Sequence, residues 1–194
     1  MPVNDEANIF IAPADVWLAP VGTPMPGDDE AFEAPWTKLG WLKEGLQIVL
    51  GKDIYEVIPD QFTAAVLVQV TGTTFIFRAS LDEIILTNMP ALYGLGSVQT
   101  QAPGAGQIGK DTFKVAAAVA CPTEKAVAVE GLDHNGFYMR ANMWRGVSTV
   151  EITLAMRKGE EMAIPAEFKA LLQSSEAGQE LGLIVRKTAN ETGP

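Results

Sequence analysis

The sequence predicts a mainly β fold: an antiparallel β-sandwich or split barrel with one packed helix, long loops and terminal arms. Three observations carry that expectation. Apolar and polar residues alternate with period two along many short stretches, which puts their side chains on opposite faces of a strand. Eighteen glycines and twelve prolines punctuate those stretches, as short strands joined by turns require. Helical periodicity, by contrast, is confined to two places.

In chain order, Ala14–Pro20 is a short alternating strand and Val21–Pro35 a loop broken by proline and glycine. Gly51–Asp60 reads as another loop. Phe62–Thr71 alternates, with Phe62, Val66, Val68 and Val70 on one face and Thr63, Leu67, Gln69 and Thr71 on the other. Gly72 allows a turn into the strand Thr73–Ala79, so the two predict a hairpin. Ser80 then caps a helix over residues 80–89. Glu83 completes a capping box, Leu81, Ile84, Ile85 and Met89 line one face, and Pro90 ends it. Gly94–Gly109 is a loop by composition. Phe113–Cys121 and Lys125–Glu130 alternate as strands. Asn135-Gly136 is the strongest turn signal, because both residues tolerate the positive φ of a type I′ hairpin. Phe137–Trp144 continues as a strand, Arg145-Gly146 breaks it, and Val147–Arg157 alternates again. A short second helix is expected at 166–172, with Phe168, Leu171 and Leu172 turned inward. Gly182–Lys187 is the last strand, giving about eight to ten in all.

At 194 residues the chain fits one domain, 1–194, on the usual scale of roughly 100–200 residues per domain. Residues 1–13 form an N-terminal arm and 187–194 a flexible C-terminal tail. The 47% apolar content suits a globular chain and not a disordered one. There is no basic, apolar leader before a small-residue cleavage site. The longest apolar runs, such as Val115–Cys121, are too short to cross a bilayer. Cys121 is the only cysteine, which excludes an internal disulfide framework and a cysteine-based metal site and fits a reducing cytoplasm. The net charge of −10 leaves no basic face of the kind that grips nucleic acid.

A search for chemistry finds none that its context supports. Gly104-Ala-Gly-Gln-Ile-Gly-Lys110 matches a phosphate-cradling loop until Asp111 replaces the required hydroxyl. No strand-to-helix context surrounds it, and a carboxylate there repels phosphate. His134, the only histidine, sits in the Asn-Gly turn without a second group to hold it. Cys121 closes an alternating strand and reads as a buried, inert thiol. The pairs Asp28-Asp29 and Glu160-Glu161 read as solvated turn residues. No catalytic, cofactor or metal residue is therefore assigned. Trp17, Trp36, Trp41 and Trp144 read as core or subunit-boundary packing before a sugar-stacking platform.

The order of elements from Ala14 to Leu46 resembles the opening of the tail tube (major tail) proteins of long, flexible-tailed, siphovirus-type bacteriophages. The strand Ala14–Pro20 is followed by the loop Val21-Gly-Thr-Pro-Met-Pro-Gly27, the acidic run Asp28-Asp29-Glu30 and the element Leu39-Gly40-Trp41. The closing segment Ile164-Pro-Ala-Glu-Phe-Lys-Ala-Leu171, with a glycine-containing bend and a last strand, is also like the family's. The resemblance implies a structural virion protein and not an enzyme. Its copies would stack as hexameric rings into a tube that passes DNA without binding it specifically. It implies tail partners such as a tape measure and a tail terminator, assembly in the host cytoplasm and no membrane insertion by this chain. The helix after Ser80 would pack outside the tube wall. The hairpin Phe62–Ala79 and the pair Phe137–Arg157 would build that wall, with Thr63, Gln69, Thr71, Thr149, Glu151 and Thr153 as inner-wall candidates. Lys52, Asp53, Ile54, Tyr55, Glu56 and Val57 are assembly-interface candidates, together with the two arms. The same residues also suit another phage β-sandwich part, such as a tail-tip, head–tail connector or capsid-decoration protein, and the tryptophans a carbohydrate-binding module.

Overall fold

The computed structural model describes residues 13–27, 30–83, 85–115, 121–132, 137–154, 158 and 162–187. Its described residues are mainly antiparallel β, in one large sheet and one small one. The strands are β1 (Ala14–Ala19), β2 (Thr37–Lys38), β3 (Leu42–Val57), β4 (Leu67–Leu81), β5 (Ser97–Gln101), β6 (Lys110–Lys114), β7 (Lys125–Leu132), β8 (Tyr138–Ser148), β9 (Ile164–Ala170) and β10 (Leu183–Arg186). The large sheet runs β2-β1-β7-β8-β9-β4-β3, with β10 also paired to β8. It curls until β1 and β3 touch, but the barrel does not close. β5 and β6 form the separate two-stranded sheet.

Period-two alternation gives this sheet two unlike faces. On the inner face Val16, Leu18, Val127, Val129 and Met143 meet Phe75, Phe77, Leu81, Ile164 and Phe168 in one core. A 3-10 turn at Leu86–Asn88 and the helix α1 (Met89–Tyr93) close this core through Met89 and Leu92. Pro90 sits in the first turn of α1, where its missing N–H costs nothing, and Gly94 in the left-handed conformation (φ 78°) ends it. On the outer face Ala19, Ala126 and Ala128 are covered by Phe32 and Trp36 from a strap described at 20–27 and 30–36. Small alanines let the two rings lie close. Phe32 stacks on Trp17 at 5.1 Å and meets Trp36 edge-on at 5.3 Å.

Several sequence expectations need correction. The helix expected over 80–89 is not formed: β4 continues to Leu81, and helical turns begin only at Leu86. Phe75, Phe77, Ala79 and Leu81 keep period two; all four pair with β3 and the last three also with β9, so a two-sided ladder outcompetes the Ser80–Glu83 capping pattern. The helix expected over 166–172 is strand β9, whose buried Ile164, Ala166, Phe168 and Ala170 alternate against the core. Its helix-forming Ala, Glu, Lys and Leu are overridden by tertiary packing. Gly72 does not turn the chain. It lies within β4 opposite Asp53, whose Oδ2 would be 2.8 Å from an added Cβ. Gly51–Asp60 is not a loop up to Val57 but the outer half of β3.

Residues 94–109 are not one loop either, since β5 pairs with β6. β6 covers only Lys110–Lys114 of the expected 113–121 strand, and 116–120 lie outside the described residues. Arg145-Gly146 does not break β8; Gly146 pairs with Lys125 next to a bulge. Of the expected strand 147–157, Val147 and Ser148 end β8, 149–154 are irregular, and 155–157 lie outside the described residues. Cys121, expected to be buried, is exposed. The turn residues Asn135 and Gly136 lie outside the described residues, although β7 and β8 pair on either side of them from Leu132 and Tyr138. The arm at 1–12 and the tail at 188–194 also lie outside.

β9 and β10 both pair with the same side of β8, β9 at Gly146–Ser148 and β10 at Met139–Asn142. They are two parts of one line, separated by an excursion at 171–182. The excursion rejoins at Gly182, where an added Cβ would collide with the Asn142 carbonyl and the Phe75 ring. Gly182→Ala is therefore expected to lower unfolding free energy by about 1–3 kcal/mol, read from urea midpoints.

Candidate functional site

The outer half of the β3–β4 pair stands uncovered. β3 has sixteen residues and so spans roughly 50 Å at about 3.3 Å per residue. Its inner half lies on the core, where Leu46 opposes Ala79 and Ile48 opposes Phe77. Beyond Gly51 the two strands leave the core as a two-stranded ribbon. A bulge between Asp53 and Ile54 shifts the register by one. Past it Ile54 faces Val70 and Glu56 faces Val68 on one side, while Tyr55 faces Gln69 and Val57 faces Leu67 on the other. Ile54, Tyr55, Ile58, Phe62, Val66, Leu67, Val68 and Val70 are all exposed.

Both edges of the ribbon are open as well. β3 ends the sheet, and β9 reaches β4 only from Ile76 onward. Among the described residues, no strand pairs with the outer side of β3 or with β4 before Ile76. A ribbon that is apolar on both faces is patterned like a strand buried on both sides. Large exposed apolar patches of this kind mark contact surfaces.

The assembly-interface candidates Lys52, Asp53, Ile54, Tyr55, Glu56 and Val57 thus lie together on one projecting strand. The inner-wall candidates do not come together. Gln69 and Thr71 are on the ribbon, and Thr63 lies in the connection at its tip. Thr149, Glu151 and Thr153 are in irregular chain after β8, where Thr149 is tied back to β9. Sequence reasoning missed the ribbon's β4 residues Leu67, Val68 and Val70 as surface. The signal was present as an almost unbroken apolar run from Phe62 to Val70.

A family model described as phage tail tube protein matches residues 1–188. The chain belongs to the phage tail tube protein family. No curated protein matches it. Family membership makes it a structural component of a virion tail and points away from an enzyme. It also makes self-assembly with other tail proteins its setting.

The rest of this tail tube protein is consistent with a scaffold. The glycine-rich segment at 104–109 is the turn between β5 and β6, closed by a Gly104–Gln107 bridge, and a strand follows it in place of the helix a phosphate loop needs. Trp36 donates its Nε1–H to the Pro24 carbonyl (3.1 Å) and Trp144 to that of Gln179 (2.8 Å). Only Trp41 stands out in solvent, 74% exposed, so the four tryptophans make no common platform. Asp28, Asp29, His134, Glu160 and Glu161 lie outside the described residues. Among the described residues no cluster of His, Cys, Asp and Glu is placed to hold a metal. Among the described residues no helix is long and apolar enough to cross a membrane.

Charge pairs fasten the strands behind the ribbon. Glu167 on β9 accepts Thr149 Oγ1–H (2.7 Å) and Arg78 Nε–H (2.6 Å). These bonds, the threonine's foremost, hold its carboxyl below the ordinary 4.5. Glu124 is lowered by its hydrogen bonds from Arg145, whose own pKa is raised in return. Glu180 is lowered by its own backbone N–H and that of Gly178.

Because folding depresses the Glu167 pKa, the stability it adds is present above its unfolded value of 4.5. That stability is lost as pH falls through the lower folded value. Urea midpoints between about pH 5.5 and 3 should fall more steeply for the natural chain than for Glu167→Gln; equal slopes would deny the contribution. On the ribbon, the double change Ile54→Thr and Val68→Thr should leave subunit stability within about 0.5 kcal/mol, measured on monomer, because neither side chain is covered.

Proposed function

We propose that copies of this chain form six-membered rings that stack into the hollow tube of a long, flexible phage tail, and that DNA passes through its bore into the host. The observation that carries this reading is the ribbon, apolar on two faces and unpaired on two edges. An isolated two-stranded ribbon is marginal in water. Strands of neighbouring copies would satisfy its edges and cover its faces, and a ring of such pairings closes a barrel with no free edge. The chain acts as a single non-enzymatic domain, assembled in the host cytoplasm beside a tape measure protein and a tail terminator.

Charge supports the conduit. Six copies at −10 each bring 6 × −10 = −60 per ring before counterions. Salt screens beyond about 8 Å, so acidic groups near the bore would keep phosphates from sticking at the wall without barring the duplex. Lys52, Asp53, Ile54, Tyr55, Glu56 and Val57, with Leu67, Val68 and Val70, are the assigned subunit contacts. Gln69 and Thr71, at the neck of the same ribbon, remain the inner-wall candidates.

Shortening the ribbon tests this. Lys52 and Thr73 are direct partners, so replacing 53–72 by Asn-Gly joins them through a two-residue turn. The shortened subunit should fold with an ordinary cooperative melt and form no tubes in negative-stain micrographs, while the natural chain forms tubes of one diameter. Tubes of normal width from the shortened chain would end the reading.

A further inference from the structure

Away from the ribbon, two uncovered surfaces complement each other. The strap, described at 20–27 and 30–36, encloses an open hollow of about 760 Å³ whose walls include Val21, Pro24, Met25, Ala31, Pro35 and Trp36. Glu30 and Glu33 stand exposed at its rim. The Trp36 indole N–H is already used on Pro24 and a Glu30 oxygen on the Gly27 N–H. The walls therefore lack the convergent polar groups by which a small ligand is oriented.

The strap is braced from beneath by Arg140, which is only 5% exposed. Arg140 donates Nη1–H to the Gly27 carbonyl (3.0 Å), Nη2–H to the Glu30 carbonyl (2.5 Å) and Nε–H to Glu130 (2.8 Å). Its guanidinium also lies 5.2 Å from the Phe32 ring centre and 4.4 Å from that of Tyr138. The hollow is thus pre-formed.

The second surface is the tip of the β5–β6 hairpin. Ile108 is 75% exposed, and every residue from 102 to 111 is exposed. The Gly104–Gln107 bridge and hydrogen bonds from Gln101 Nε2 to the Ile108 carbonyl and from Gln107 Nε2 to the Ala102 carbonyl gather the tip into a knob. Lys110 follows Ile108 by two residues, in a chain with only 14 basic residues against 24 acidic ones.

We infer that the Ile108–Lys110 knob of one copy docks into the strap hollow of the next. Ile108 meets the proline, methionine and tryptophan wall, and Lys110 meets Glu30 and Glu33. A phosphate ligand would use the lysine and leave the isoleucine in water; the hollow takes both. The two surfaces lie on opposite sides of the sheet. The strap covers the outer alanine face, whereas the hairpin rides on α1 and the 3-10 turn that pack on the inner core, with Phe113 edge-on to Tyr93. A contact joining unlike surfaces of successive copies is head-to-tail, the kind that builds rings or filaments. This inference rests on the self-assembly reading above and adds to the ribbon a contact of its own.

Cross-linking tests it. In a Cys121→Ser background, which removes the exposed native thiol, Ile108→Cys and Ala31→Cys in one chain should oxidise within assemblies to a ladder of covalent multimers on non-reducing gels. Each single variant should stop at dimers. In parallel, Lys110→Glu should raise the concentration needed for assembly roughly tenfold or more, the effect of placing like charges across a contact, and adding Glu33→Lys should restore it. Normal tubes with no ladder, or two impaired charge variants without rescue, would overturn the docking and leave the tube reading standing. Absence of any assembly by the natural chain would overturn both.

Discussion

The pairing of β3 with β4 is the constraint on which the rest of the structure depends, because one continuous ladder serves two environments. Its inner half is held by Phe75 and Phe77 in the core and by β9 on the far edge of β4. Its outer half has neither support. The transition is built from small residues and one bulge. Gly51 opposes Thr74 and Gly72 opposes Asp53, each at a distance that a Cβ would make a clash. The register shift after Asp53 then rotates the pattern so that even-numbered residues of β4 take the face that odd-numbered ones held before. Rigidity in the ribbon therefore derives from the sheet, while its apolar surface remains available to something outside the subunit.

The other face of the sheet follows a different logic. Where the inner face needs bulky side chains to fill a curled sheet, the outer face over β1, β7 and β8 carries Ala19, Ala126 and Ala128. Small residues there admit the flat rings of Phe32 and Trp36 and leave room for Arg140 to reach the strap carbonyls. A buried guanidinium is costly unless its donors are used; here Glu130 and two carbonyls use them. The strap gains a fixed shape in a segment whose Gly22 and Gly27 would otherwise give it many.

Much of the fold was legible in the sequence because burial on one face leaves a period-two record. β1, β7, the first part of β8 and β10 fall where alternation puts them. The failures share a physical cause: local signals were weighed without the long-range partners that decide them. Ser80 and Glu83 look like a capping box only if the ladders on both sides of β4 are unknown, and Ala166–Leu172 looks helical only if β4 and β8 are not seen flanking it. Gly72 imitates a turn because a glycine chosen for cross-strand closeness and one chosen for positive φ are the same letter. The six residues from Lys52 to Val57 were legible as surface, but as a loop. Their being a strand depends on Leu67–Thr73, whose pairing no short-range pattern records.

The form of the ribbon bears on why an assembling subunit would use a strand pair where a loop could reach as far. A flexible loop of similar length must be ordered when it binds, at roughly 1–2 kcal/mol per backbone residue. Residues 51–57 and 67–74 are already ordered by their mutual hydrogen bonds, so that cost is met during folding of the subunit. What remains for association is burial of exposed Ile54, Tyr55, Leu67, Val68 and Val70 and pairing of two open edges. Both gains are collected only when another chain lies alongside, and both grow along the length of the ribbon. Lys52 and Glu56 stand on the same face as Ile54, and charges on an open edge strand disfavour indiscriminate pairing. On the assembly proposed above, the same short segment would supply the attraction between copies.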